Sequence, residues 1–258
     1  TSSPSKPDLE IKNSSEDNIE ISFELHGYFI EEKDGGSQIT FPGGVPILKN
    51  GAPELPRMTQ SVIIPDLAKM DISVLSSKYY EVPIENILPS KGNVTRDIDP
   101  KTIPYSYGKV YDLDAWYPEN ISFLRDPYIL RSFRGQTVVF QPFQYNPKRK
   151  VMRVYTNIKV GIRKNGESQI NPLTIRPPGL RSREFEQKYQ DHFINYPNNM
   201  RYDVLTEQGS MLVISHGGFI DEMQPFIDWK NYKGVPTEMV DILDIGSGYG
   251  ETSIFLAK

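Results

Sequence analysis

The chain has 258 residues, 38% of them hydrophobic and 24% charged, with a formal net charge of −4. That is enough apolar material for one or two packed domains and too much for global disorder. It contains no cysteine, which excludes disulfides, thiolate metal sites and a cysteine nucleophile within these residues.

Residues 1–17 are rich in Ser, Pro and charge and are expected to be a flexible N-terminal segment. Thr1-Ser2-Ser3-Pro4 lacks the features of a signal peptide, and no apolar run approaches the ~20 residues of a helical membrane span. Ile19, Ile21, Phe23 and Leu25 then alternate with Glu20, Ser22 and Glu24, the period of a half-buried strand. Asp34-Gly35-Gly36 marks a turn, and "FPGGVPILKNGAPELP" (41–56) has too many Gly and Pro for anything but an ordered loop. Met70 to Ser76 alternates again. "PSKGNVTRDIDP" (89–100) places a polar stretch between Pro and Gly and predicts a long projecting loop between strands.

The clearest strand is Val151 to Arg163, with Val154, Thr156, Ile158, Val160 and Ile162 on one face. Before it, "QTVVFQPFQYNPKRK" predicts a second strand and a turn at Asn146-Pro147, so that the two form a hairpin. Between Arg125 and Lys164, ten Lys/Arg accompany one acid, Asp126. This describes either the solvated face of strands or a basic surface for an acidic protein; no motif points to nucleic acid. Short strands without alternating helices predict an antiparallel β-sandwich.

The pattern changes near residue 182. Phe185, Tyr189 and Phe193 recur every four residues behind a possible Ser182 cap, which predicts a helix stopped by Pro197. A polar seam follows, then strand Met211 to Ser215, a helix through "MQPFIDWKNYK" closed by Gly234, and a strand over Val235 to Val240. This is the start of a βαβ unit. The fold class is therefore mainly β: an antiparallel β-sandwich, a short helix and linker, and an incomplete α/β (βαβ) stub.

His26, His192 and His216 have no metal-ligand spacing, and no metal or cofactor site is expected. "DILDIGSGYGETSIFLAK" (241–258), with Asp244, Gly246, Gly248 and Gly250, is similar to the first cofactor motif of methyltransferases, but too little chain follows to close such a site. Trp116 and Tyr117 suit a second possibility, a secreted β-sandwich binding module for carbohydrate or protein.

"RDPYILRSFRGQTVVFQPFQYNPKRKVMRVYTNIKVGIR" (125–163), together with "GAPELP", "VLSSKYYE" and "LPSKGNVTRDIDPKTIPYSYGKVYD", resembles the N-terminal propeptide of gingipain-type cysteine endopeptidases. The seam "NNMRYDVLTEQGSMLVI" and "FIDWKNYKGVPTEMV" resemble the start of the catalytic domain that follows such propeptides. Residues 241–258 depart from the pattern. The resemblance implies a prodomain over residues 18–201 and the N-terminal fragment of a peptidase domain over 202–258. It implies a chain that is not itself an enzyme and that folds and silences a cognate cysteine peptidase domain during export. Such a protein is secreted or held at a bacterial cell surface after loss of a signal peptide absent from this sequence. The resemblance also implies processing by a protease at Arg201-Tyr202 and at Arg96-Asp97, and an inhibitory loop containing Lys91 and Arg96. Neither nucleic acid nor a membrane span is among the expected partners.

Overall fold

A computed structural model describes residues 3–15, 17–33, 35–175, 181–196, 204–205 and 209–241. The chain divides into two compact units, residues 1–179 with 185–201 and residues 180–184 with 202–258. Strands of the first unit are β1 (Asp8–Ser14), β2 (Asn18–Glu24), β3 (Phe29–Lys33), β4 (Gly36–Thr40), β5 (Val45–Pro46), β6 (Pro56–Ile63), β7 (Ala68–Pro83), β8 (Ser122–Leu124), β9 (Tyr128–Leu130), β10 (Phe133–Phe140), β11 (Phe143–Asn146) and β12 (Val151–Glu167).

Two antiparallel sheets form a sandwich. One runs β1-β2-β12-β11, with β7 on the opposite edge of β12; the other runs β5-β6-β10-β8, with β9 also on β10. Alternation dictates the core. Ile19, Ile21 and Phe23 of β2 and Ile158, Val160 and Ile162 of β12 share one buried cluster with Met58 and Val62 of β6 and Val138 and Phe140 of β10. The Phe23 and Phe140 rings stack at 5.3 Å across the sheets. Each such side chain contributes about 1.5–3 kcal/mol by leaving water.

Several sequence expectations are corrected. Residues 8–14 are not loose: β1 pairs with β2 from Asp8↔Glu24 to Ser14↔Ile19, with a bulge between Ile11 and Asn13. The alternation of Leu9 and Ile11 with charged neighbours is a strand pattern that Ser- and Pro-rich composition obscures. The apolar run before Asn146 is two strands, because Gln141-Pro142 carries the chain from one sheet to the other. Pro142 has no N–H for a ladder; its carbonyl instead accepts from Tyr155 N at 2.8 Å. Only β11 forms the hairpin with β12. Thr156 is not a core residue, because a register shift against β7 between Tyr155 and Asn157 makes it the extra residue of a bulge.

The helix α1 (Arg183–His192) ends before Pro197. Phe193 bridges to Ser61 and Ile194 N donates to the Ser61 carbonyl at 3.1 Å, so the backbone leaves the helix to join β6. Tyr189, Phe193 and Tyr196 are buried around Phe133 of β10. Gly135 makes this approach possible, since a Cβ there would lie 2.6 Å from the Phe193 ring and 2.8 Å from Tyr128.

In the second unit, β13 (Arg181–Ser182) and β14 (Val204–Leu205) pair in parallel, as do β15 (Met211–Ser215) and β16 (Thr237–Asp241). Between the latter pair lies α2 (Ile220–Tyr232), and Gly234 follows with φ +81°. Left-handed backbone after a helix favours glycine. This is the anticipated βαβ arrangement. The glycine-rich segment 242–258 lies outside the described residues.

Candidate functional site

Between β7 and β8 the chain makes a long excursion that carries 3-10 turns at Pro100–Thr102 and Lys109–Asp112. Its base is pinned to the 51–52 turn: Gly51 N donates to Ser90 O at 3.0 Å, Ser90 N to Ala52 O at 2.8 Å, and Gly108 N to Gly51 O at 2.8 Å. Glycine is needed at 108, where a Cβ would stand 2.9 Å from the Gly51 carbonyl oxygen.

Lys91 closes the loop on itself. Its Nζ donates to Pro100 O at 2.7 Å and sits 4.4 Å from the Tyr105 ring centroid. Asp99 Oδ1 accepts from Lys101 N at 2.9 Å and starts the first 3-10 turn. A cavity of about 370 Å³ lies beneath, lined by Leu48, Lys91, Asn93, Pro100 and Tyr105 among others.

Arg96 and Asp97 occupy the exposed turn beyond this base. Among the described residues no ion pair or side-chain hydrogen bond holds Arg96. The Thr95 side chain and the Asp97 backbone N–H keep the Asp97 carboxyl below its ordinary range. The sequence placed Arg96, Asp97 and Lys91 on one loop, and the structure gives them different situations: Arg96 without a partner among the described residues, Asp97 bonded locally to Thr95, and Lys91 engaged at the base. Arg201 and Tyr202 lie outside the described residues.

The ten cations of 125–164 do not make one free face. Arg149 pairs with Asp114 (2.8 Å), Lys150 with Glu85 (2.5 Å), Arg153 with Glu81 (2.9 Å), Lys159 with Glu20 (2.9 Å) and Lys164 with Asp17 (3.8 Å). Arg134 is fully buried and donates to four main-chain carbonyls, Asn171 (2.8 Å), Pro65 (3.0 Å), Ala68 (2.6 Å) and Ile170 (3.0 Å). Sequence reading missed this clamp. Its one signal is register, since Arg134 is in phase with the buried Val138 and Phe140 of β10.

Each histidine has structural work. His26 contacts Asp8 Oδ2 at 2.8 Å, His192 contacts Tyr128 Oη at 2.6 Å, and His216 Nδ1 accepts from Gly218 N at 3.1 Å. Among the described residues no group of His, Asp and Glu could hold a metal ion, and no helix is long and apolar enough to cross a membrane.

Comparison with known proteins places this architecture. The family model Propeptide_C25 matches residues 2–196. Gingipain R1 of Porphyromonas gingivalis is 38% identical over 221 residues, covering 84% of this chain and 22% of that protein. Gingipain R2 of strain W83 is 37% identical over the same length, covering 84% of this chain and 30% of that protein. The chain thus spans less than a third of the curated relatives it matches. Among solved structures, the complex of Porphyromonas gingivalis RgpB pro- and mature domains is 33% identical with a TM-score of 0.67, covering 74% of this chain and 97% of that one. A gingipain K structure described by its zymogenic latency, 20% identical with a TM-score of 0.53 over 62% of this chain and 93% of that one, shares the fold. The chain belongs to the C25 propeptide family, the propeptides of gingipain-type cysteine peptidases.

Proposed function

We propose that this chain is the inhibitory and folding-assisting propeptide of a gingipain-like secreted cysteine endopeptidase, joined at 201/202 to the first residues of its catalytic domain. The observation that carries the reading is Arg96, exposed and unpaired among the described residues at the tip of a loop whose base is pinned by Lys91 and the 51–52 turn. A planar guanidinium at such a tip suits a specificity pocket with a carboxylate floor, which it can pair bidentately. Pinning the base lowers the entropy lost when the tip enters the pocket. Lys91 supports the loop, and Arg96 enters the enzyme. The chain supplies no cysteine nucleophile, so it acts on its peptidase and not on a substrate. Its setting is outside the cell or on the bacterial surface.

An interface anchor costs ~2 kcal/mol or more on truncation, which is about thirtyfold in affinity. Arg96→Ala is therefore expected to weaken inhibition of the mature RgpB domain at least about tenfold. Unchanged inhibition by the folded variant, at low and high salt alike, would reject the assignment. Removal of the propeptide is proposed to begin with cleavage at Arg201-Tyr202. An arginine-specific protease should release a fragment starting Tyr202-Asp203-Val204; protection of that bond, with cuts only elsewhere, would exclude it.

A further inference from the structure

We infer that the groove between β7 and residues 113–122 is a second docking site for the same catalytic domain, one that binds independently of Arg96. The inference rests on the propeptide reading above and adds a contact that the loop does not make. The groove has a volume of about 900 Å³, and its lining includes Lys49, Val74, Leu113, Trp116, Arg153 and Tyr155.

Three features set it apart from an ordinary surface furrow. Its wall is a preassembled stack: the Arg153 guanidinium lies 3.7 Å from the Trp116 ring centroid and 4.8 Å from that of Tyr79, and pairs with Glu81 at 2.9 Å. Trp, Tyr and Arg dominate binding hot spots, and side chains already fixed lose little entropy on docking.

The second feature is the edge. Among the described residues β7 pairs only with β12, so its other edge has no strand partner. β7 exposes Val74, Leu75, Tyr79 and Tyr80, each 40–48% accessible; sequence neighbours point to opposite faces, and of the four Val74 lines the groove. Its exposed apolar side chains alternate with exposed Lys69, Asp71, Lys78 and Glu81, so the strand offers a partner a mixed apolar and charged surface beside an open ladder edge.

Continuity with the Arg96 loop identifies what covers it. Leu48 lines the cavity under that loop, while the adjacent Lys49 lines the groove with its Nζ 5.7 Å from the Tyr117 ring centroid. The Gly51–Gly108 contact ties the two regions together. A globular partner that receives Arg96 in a pocket therefore extends over the groove, and the peptidase catalytic domain is that partner.

The test is calorimetric binding of the full chain to the mature RgpB domain with its nucleophilic cysteine replaced by alanine, so that no cleavage intervenes. Leu113 is 53% exposed, so Leu113→Asp places a charge in the groove without disturbing the core; Trp116→Ala removes the stack. Each is expected to weaken binding at least about tenfold. Arg96→Ala should retain measurable binding that Leu113→Asp, added to it, abolishes. Wild-type affinity in both folded groove variants would overturn the inference, even if Arg96→Ala weakens binding. A loss with Leu113→Asp and none with Arg96→Ala would keep the groove and reject the loop. A chain that is dimeric in sedimentation and becomes monomeric with Leu113→Asp would assign the groove to a second copy and overturn the inference. No binding by the wild-type chain would overturn both readings.

Discussion

Arg134 and Arg96 are the same side chain in two opposite regions of one sandwich. Around Arg134, β10, the turn before β7 and the segment after β12 converge, and their carbonyls occupy its guanidinium with four hydrogen bonds. Burial lowers its pKa below the ordinary value, while the four carbonyl acceptors and the charge of Asp66 offset the cost of burying the cation. Around Arg96 the chain turns outward and offers no partner among the described residues. An arginine with four of its five N–H donors spent within its own fold is structural; one held out on a rigid base is available to something else.

The largest effect should come from the first region. Arg134→Met removes the guanidinium donors from the carbonyls of Pro65, Ala68, Ile170 and Asn171, of which Pro65 O keeps Ala68 N at 3.2 Å. Hydrogen bonds to a charged group are each worth about 1.5–3 kcal/mol, part of which water restores here because Ile170 and Asn171 are exposed. We expect a loss of roughly 3 kcal/mol in urea unfolding. A loss below about 0.5 kcal/mol, the range of an ordinary surface change, would remove the contrast with Arg96.

Gly135→Ala should rank second. Its Cβ would meet two aromatic rings below 3 Å, and overpacking of this kind costs about 1–3 kcal/mol. The damage should concentrate where α1 docks, with proteolysis of residues 183–196 accelerating before the sandwich itself opens. Equal protection of wild type and variant would mean that the ring contacts do not hold the helix. Arg96→Ala should change stability least, within about 0.5 kcal/mol, while impairing inhibition as proposed above. A measurable drop in melting temperature would show that Arg96 supports the loop and is not held free.

Much of this was legible from period alone. β2 and β12 alternate over enough residues to declare their core face, the phase of Phe185, Tyr189 and Phe193 declares α1, and Gly234 marks the end of α2. β1 was not legible, because its two apolar residues are too few to outweigh a composition typical of loose termini; pairing with β2 makes it a strand. Nor was the break at Gln141-Pro142, since apolar residues lie on both sides of it and only the second sheet gives the chain somewhere to go. The Arg96 loop could be located from its Pro and Gly punctuation, but the roles of Lys91 as staple and Arg96 as free tip depend on contacts made after folding.

By itself the sequence determined what local chemistry can determine: an all-β beginning, a βαβ ending, a helix between them, and no cysteine to do chemistry. Tertiary structure alone decided which of ten neighbouring cations are spent and which are free, because an arginine's role depends on the acceptors that distant segments bring to it. Arg134 takes its partners from residues 65, 68, 170 and 171, none of them near it in the chain. Hydrophobic alternation is a property of consecutive residues and can be read along a line; the satisfaction of a buried charge is a property of a volume.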